Sequence, residues 1–132
     1  MKINENLIVG TTGKTLKDTF EILETGSNSN GNYIKFTNGI MIQYGVATGD
    51  GANNDFWASC NRTPYTEKYY PLNFKTVISC NVTAIDKGGI LGAQLSSDGL
   101  DNTNRFKYFC LRSKNSGSTV YKVSYLAIGT WK

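Results

Sequence analysis

No stretch of this chain constrains its fold more than Gly31 to Gly45. It reads Gly31-Asn32-Tyr33-Ile34-Lys35-Phe36-Thr37-Asn38-Gly39-Ile40-Met41-Ile42-Gln43-Tyr44-Gly45, two alternating apolar runs around Thr37-Asn38-Gly39. Asn-Gly between such runs predicts a β-hairpin, because both residues tolerate the positive φ that tight hairpin turns demand. Ile34 and Phe36 share one face of the first arm, with Lys35 opposite. Ile40, Ile42 and Tyr44 share a face of the second, with Met41 and Gln43 opposite. The chain is thereby committed to a sheet.

At 132 residues it is one domain of ordinary size, able to bury roughly two-thirds of its unfolded surface. The rest follows the same pattern of short strands and turns, with 14 glycines and only 2 prolines to interrupt them. Alternation predicts a strand over Thr76 to Ala84, with Ile78, Cys80, Val82 and Ala84 on one face. Further strands are expected over Ile90–Leu95, Arg105–Leu111 and Val120–Ile128. Within the last two, Tyr108-Phe109-Cys110-Leu111 and Tyr125-Leu126-Ala127-Ile128 are apolar on both faces. Small antiparallel sheets usually leave one face wet, so this implies a covering layer or a second subunit. Six to eight such strands predict an all-β, antiparallel β-sandwich.

One helix is expected ahead of it, over Thr15 to Gly26. Thr15 with Asp18 resembles a capping box, Gly26 suits a C-terminal cap, and Leu16, Phe20 and Leu23 follow a 4-3 seam. About ten residues cannot hold a helix alone, so it would pack on the sheet or on copies of itself. A polar hinge at Ser27 to Asn30 separates an N-terminal extension, residues 1–30, from a sandwich domain, residues 31–132. Met1-Lys2-Ile3-Asn4-Glu5 opens no signal-peptide hydrophobic region, and no apolar run nears the ~18 residues of a membrane span. Membrane insertion is not expected.

Composition excludes several chemistries. There is no histidine and no Cys-x-x-Cys pair among Cys60, Cys80 and Cys110, which removes the usual zinc sites and leaves Cys or Ser without an imidazole base. Cys80 and Cys110 read as small buried hydrophobes with free thiols. Asp50 with Asp55, or Asp98 with Asp101, could pair for glycoside hydrolysis. All four lie in Gly/Asn-rich turns, where Asp serves turn geometry. The expectation is a binding protein, not an enzyme, with no metal and no cofactor. Formal net charge is +4, and after Asp101 no side-chain carboxylate offsets Arg105, Lys107, Arg112, Lys114, Lys122 and Lys132. That bias favours acidic partners, including anionic glycans or nucleic acid; a solvated strand face is the simpler account of it. Nucleic-acid binding through Phe109 or Tyr125 beside these cations has no recognition motif to support it.

The constellation most suggestive of a ligand is the long irregular stretch from Val46 to Tyr65. Asn53, Asn54, Asp55, Trp57, Arg62 and Tyr65 combine planar rings for stacking on sugar with side chains that hydrogen-bond hydroxyls. The competing reading is that Phe56, Trp57 and Tyr65 plug one end of the core.

The hairpin, with its Tyr-Ile-Lys-Phe arm, Asn-Gly turn and Gln-Tyr-Gly close, resembles a signature of bacteriophage tail-fibre C-terminal domains. An aromatic-Pro step at Tyr70-Pro71-Leu72-Asn73-Phe74 and a Tyr125-Leu126-Ala127-Ile128-Gly129 close agree with it in order. The resemblance covers Gly31 to the end of the chain. It implies a homotrimeric receptor-binding tip in the virion tail or a phage-tail-like particle, made in the bacterial cytoplasm and adhering to cell-surface polysaccharide or another envelope receptor. The N-terminal segment would then end a shaft or seed the trimer. A trimerisation or capping domain without a ligand, and a free-standing lectin-like protein, are the alternatives.

Overall fold

The computed structural model describes residues 8–9, 14–15, 21–49, 54–57, 60–85, 90–97, 100–113 and 121–132. In chain order the strands are β1 (Ile8–Val9), β2 (Lys14–Thr15), β3 (Ile22–Asn28), β4 (Gly31–Phe36), β5 (Ile40–Gly49), β6 (Asn54–Trp57), β7 (Cys60–Arg62), β8 (Thr66–Tyr69), β9 (Thr76–Ile85), β10 (Ile90–Leu95), β11 (Arg105–Ser113) and β12 (Tyr121–Thr130). The fold is all-β and antiparallel, with no helix among the described residues. One sheet runs β3-β4-β5-β12-β9. The other runs β10-β11-β7-β6, with β8 also on β11, and β1 pairs with β2 alone.

The predicted hairpin is β4-β5, in register from Lys35↔Met41 to Asn32↔Tyr44. Its turn differs from expectation. Only Gly39 takes positive φ (+93°), and no non-glycine residue does among those described. Gly39 N–H donates to the Phe36 carbonyl at 3.1 Å, and the Asn38 side-chain oxygen accepts the Ile40 N–H at 3.0 Å. This is a three-residue loop in which Gly39 supplies the left-handed step and Asn38 an Asx turn.

The helix expected over Thr15–Gly26 is not formed where the chain is described. Thr15 lies in β2 and Ile22–Gly26 in β3, which pairs with β4 from Ile22↔Phe36 to Asn28↔Gly31; residues 16–20 lie outside the described residues. A ladder to a neighbouring strand supplies every other backbone group with a partner at once, which a segment this short cannot match by helix nucleation. Side chains add to it: Glu24 accepts from Tyr33 Oη at 2.6 Å and from Lys35 Nζ at 3.0 Å. The stretch from Val46 to Tyr65 is likewise not one loop. β5 continues to Gly49, and β6 and β7 form a short hairpin.

The inward rows of the two five-stranded sheets meet in one core. Met41, Ala47, Cys80, Val123, Tyr125 and Ala127 from the first sheet pack with Phe106, Tyr108 and Cys110 from the second, closed by Tyr70 and Phe74. Phe106 and Tyr125 ring centroids lie 5.0 Å apart across the layers. On β9 the register slips opposite Ile128 and Gly129, so that Val77 turns inward and Ile78 outward. A bulge moves every residue before it to the other face, which is why the alternation predicted Ile78 on the wrong side.

The three sequence motifs converge in space. Gln43, fully buried, donates from Nε2 to the Leu72 carbonyl and accepts the Leu72 N–H, both at 2.8 Å. Tyr125 Oη donates to the Asn30 carbonyl at 2.8 Å, and its ring closes over Gly31 and Gly45, where a Cβ would collide with it. Gly129 passes Phe74 and the Thr76 carbonyl with equally little room.

A candidate binding face on the second sheet

Directly opposed residues in an antiparallel ladder share a face, so register sorts the outward rows. On β11 the inward row is Phe106, Tyr108, Cys110 and Arg112, all buried. Arg105, Lys107, Phe109 and Leu111 therefore point outward. Opposite them stand Tyr69 (to Arg105), Glu67 (to Lys107) and Arg62 (to Leu111). β7 and β8 share one edge of β11, and fully buried Thr63 bridges their junction. Its N–H donates to the Cys110 carbonyl and its hydroxyl accepts the Cys110 N–H, both at 2.9 Å. Held this way, Tyr65 swings back over the outer face.

There a cation–aromatic stack forms. The Arg62 guanidinium carbon lies 4.8 Å from the Tyr65 ring centroid and 5.8 Å from that of Phe109. Tyr65 meets Phe109 edge-on at 5.5 Å, and Arg62 Nη1 donates to Tyr65 Oη at 3.1 Å. The stack covers Phe109, only 8% exposed on an outward-pointing position, while Tyr65 remains 50% exposed. Beside it Glu67 bridges two cations, 3.4 Å from Lys107 Nζ and 3.5 Å from Arg105 Nε. A cleft of about 460 Å³ opens among Tyr65, Glu67, Ser96 and Lys107. It offers an exposed ring face, a carboxylate, a hydroxyl and an ammonium within one concavity, the set that recognises polyhydroxylated ligands.

The expected residues fall in three places. Arg62 and Tyr65 join directly. Asn54 stands opposite Arg62 in the ladder, and Trp57 opposite Cys60. Asp55 stands opposite Asn61, which in turn stands opposite Arg112. The ladder partner of Asp55 is thus buried Asn61 and not Arg62. Asn53 lies outside the described residues. Sequence reading does not single out Glu67, and it raises Lys107 and Phe109 only as a cation and a stacking ring for nucleic acid. Their signal was present in the parity of Arg105-Phe106-Lys107-Tyr108-Phe109, whose odd members share a face, but nothing local showed that Tyr65 would return to it.

The outer face of the first sheet is chemically different. Ile34, Ile42, Tyr44, Val46, Leu126 and Ile128 lie side by side on β4, β5 and β12 by register, with Val46 51% and Leu126 45% exposed. On β5, β12 and β9 this face carries one charged side chain, Lys122 at one end. No family model, no curated protein and no solved structure matches the chain. No helix among the described residues is long and apolar enough to cross a membrane.

Proposed function

We propose that this protein is a β-sandwich adhesin, the receptor-binding tip of a phage or phage-like tail fibre, working as a homotrimer without catalysis. The observation that carries the reading is the division of labour between the two outward faces. One is neutral and apolar over its central strands, as a surface made to be covered is. The other carries the Arg62–Tyr65–Phe109 stack and the Glu67–Lys107 cleft. The resemblance of the Gly31–Gly45, Tyr70–Phe74 and Tyr125–Gly129 motifs to tail-fibre tips supplies the setting. Their buried residues, among them Phe36, Met41, Gln43, Tyr70, Phe74, Tyr125 and Ala127, carry the scaffold.

In this arrangement the apolar faces pack three copies together and the charged faces point away from the axis. Each cleft takes a sugar unit of an envelope polysaccharide, ring on Tyr65 and hydroxyls on Glu67 and Lys107. Three weak sites on one rigid body gain avidity without any strong single contact. The experiment is binding of labelled protein to host cells and to isolated envelope polysaccharide, beside sedimentation. Expected are a species of three times 14.5 kDa and cell binding lost in the Arg62→Ala/Tyr65→Ala double variant. A stable monomer overturns the trimer, and release of reducing sugar overturns the non-enzymatic reading. Trimers that bind no envelope component would favour a purely structural capping domain.

A further inference from the structure

A second concavity, which shares no lining residue with the Tyr65 cleft, has walls fixed more firmly than a surface groove requires. It has a volume of about 400 Å³ and is lined by Lys35, Pro71, Leu72, Asn73 and Trp131. The floor from Pro71 to Leu72 is pinned on both sides: the Pro71 carbonyl accepts from Asn28 Nδ2 at 2.8 Å, and both main-chain polar groups of Leu72 are held by Gln43. The Phe74 N–H, one residue past Asn73, donates to the Thr103 carbonyl at 2.8 Å. The aromatic wall is equally fixed. Trp131 Nε1 donates to the Phe36 carbonyl and its N–H to the Gly39 carbonyl, both at 3.0 Å.

Lys35 sits between two rings, its Nζ 5.6 Å from the Trp131 centroid and 5.7 Å from that of Tyr33. It is paired with Glu24 at 3.0 Å, and the hydrogen bonds from Tyr33 and Lys35 hold that carboxyl below its ordinary range. The ammonium is therefore charge-compensated yet retains donors beyond the one Glu24 takes. Asn73 is exposed, and its side chain makes no hydrogen bond to the other described residues.

We propose that the Lys35–Asn73–Trp131 cleft is a second ligand site, taking an uncharged pyranose unit of a glycan. The part of the indole that lines the cleft, between Lys35 Nζ at 5.6 Å and Lys132 Nζ at 5.1 Å from the ring centroid, offers apolar surface to the sugar's C–H face, Asn73 offers both a donor and an acceptor to hydroxyls, and Lys35 offers a donor. Lys35, the cation of the cleft lining, is compensated by Glu24, and Lys132, held on the Thr37 carbonyl at 2.6 Å, is not part of that lining; this favours a neutral sugar over a uronic or sialic acid. Preorganised walls lower the ordering cost that limits binding of small polar ligands. This site stands whether or not the Tyr65 face binds a receptor.

The test uses the full chain carrying Trp57→Phe, which leaves Trp131 as the single tryptophan. Methyl β-D-glucopyranoside, methyl β-D-galactopyranoside, N-acetyl-D-glucosamine and D-glucuronic acid are titrated by indole fluorescence and by saturation-transfer NMR. Expected is a saturable Trp131 response to at least one neutral sugar, tighter than to glucuronic acid. It should weaken at least about tenfold in Asn73→Ala, a change at an exposed side chain that leaves the fold intact, and also in Lys35→Met. Binding should survive Arg62→Ala/Tyr65→Ala unchanged, which separates this site from the one on the second sheet. Absence of saturable binding by all four sugars, or equal binding by the Asn73→Ala protein, overturns the proposal. Preference for glucuronic acid overturns the neutral-sugar assignment.

Discussion

Gln43 is a polar side chain at 0% exposure, and its whole amide is spent on one backbone unit, the N–H and C=O of Leu72. Removing it leaves two main-chain groups in the core without partners, each costing about 1–3 kcal/mol. Gln43→Leu is therefore expected to lower unfolding stability by about 2–4 kcal/mol, read as a drop in urea midpoint at unchanged slope. A Gln→Glu change would be no repair, since the carboxylate cannot donate to the Leu72 carbonyl. The cysteines separate just as sharply. Cys80 and Cys110 are buried, and burial pushes both thiols up, Cys110 to about 12. Cys60 is only half-buried. Iodoacetamide at pH 8 on the native protein should add a single group, mapped to Cys60 by mass spectrometry, and three groups after unfolding.

The hairpin elements depend on glycines for reasons that differ by position. Gly31 ends the β3-β4 turn at φ +142°, and a Cβ there would lie 2.5 Å from Tyr125 Oη and 2.6 Å from the Tyr44 carbonyl oxygen. Backbone strain and collision act together, so Gly31→Ala should destabilise by at least about 2 kcal/mol. Gly92 on β10 has no atom within 4 Å of such a Cβ, and Gly92→Ala should change stability by less than about 0.5 kcal/mol. Thermal or urea unfolding of the pair distinguishes a needed glycine from a tolerated one. Element type was legible where apolar runs were bounded by turn signals, as in β4, β5, β9 and β12. It failed in β3, where Leu16, Phe20 and Leu23 suggested a helical stripe. Three apolar residues at that spacing fit a helix, but Ile22 and Glu24 found partners in Phe36 and Lys35, and no local pattern carries that information.

At the scale of the molecule the two outward faces decide behaviour. If the first sheet packs against other copies, a charge at its centre is incompatible with assembly. Leu126→Lys, at a side chain already 45% exposed, should fold as a monomer by circular dichroism and sedimentation while the parent remains oligomeric. Unchanged assembly would place the contact elsewhere. The shared core also sets an alkaline limit. Burial raises the pKa of Cys80 and Cys110 above 9.0 and of Tyr70 and Tyr125 above 10.0. The unfolded chain thus loses these protons at lower pH than the folded one. Their contribution is fully present below the unfolded values, and stability falls as pH rises through the folded ones. Urea midpoints should decline progressively from pH 9 to 12, with the share of tyrosinate absorbance that belongs to Tyr70 and Tyr125 appearing only as the core opens.

By itself the sequence determined strands such as β4, β5 and β9 to β12, because apolar runs and glycine placement act within a few residues. The Gly31–Gly45 hairpin, the buried thiols and the all-β antiparallel class follow from that local physics. Phe109-Leu111 and Leu126-Ile128 look alike as strings, both apolar on two faces. Tertiary structure alone divided them. Phe109 is roofed within the chain by Tyr65 and Arg62, whereas Leu126 stays open beside Tyr44. It also parted Asp55 from Arg62 by one step of register, turned Ile78 outward through a bulge, and drew β3 into the sheet. Each outcome rests on which strand pairs with which, and at what offset. That is a property of contacts up to 95 residues apart, which no window of the sequence contains.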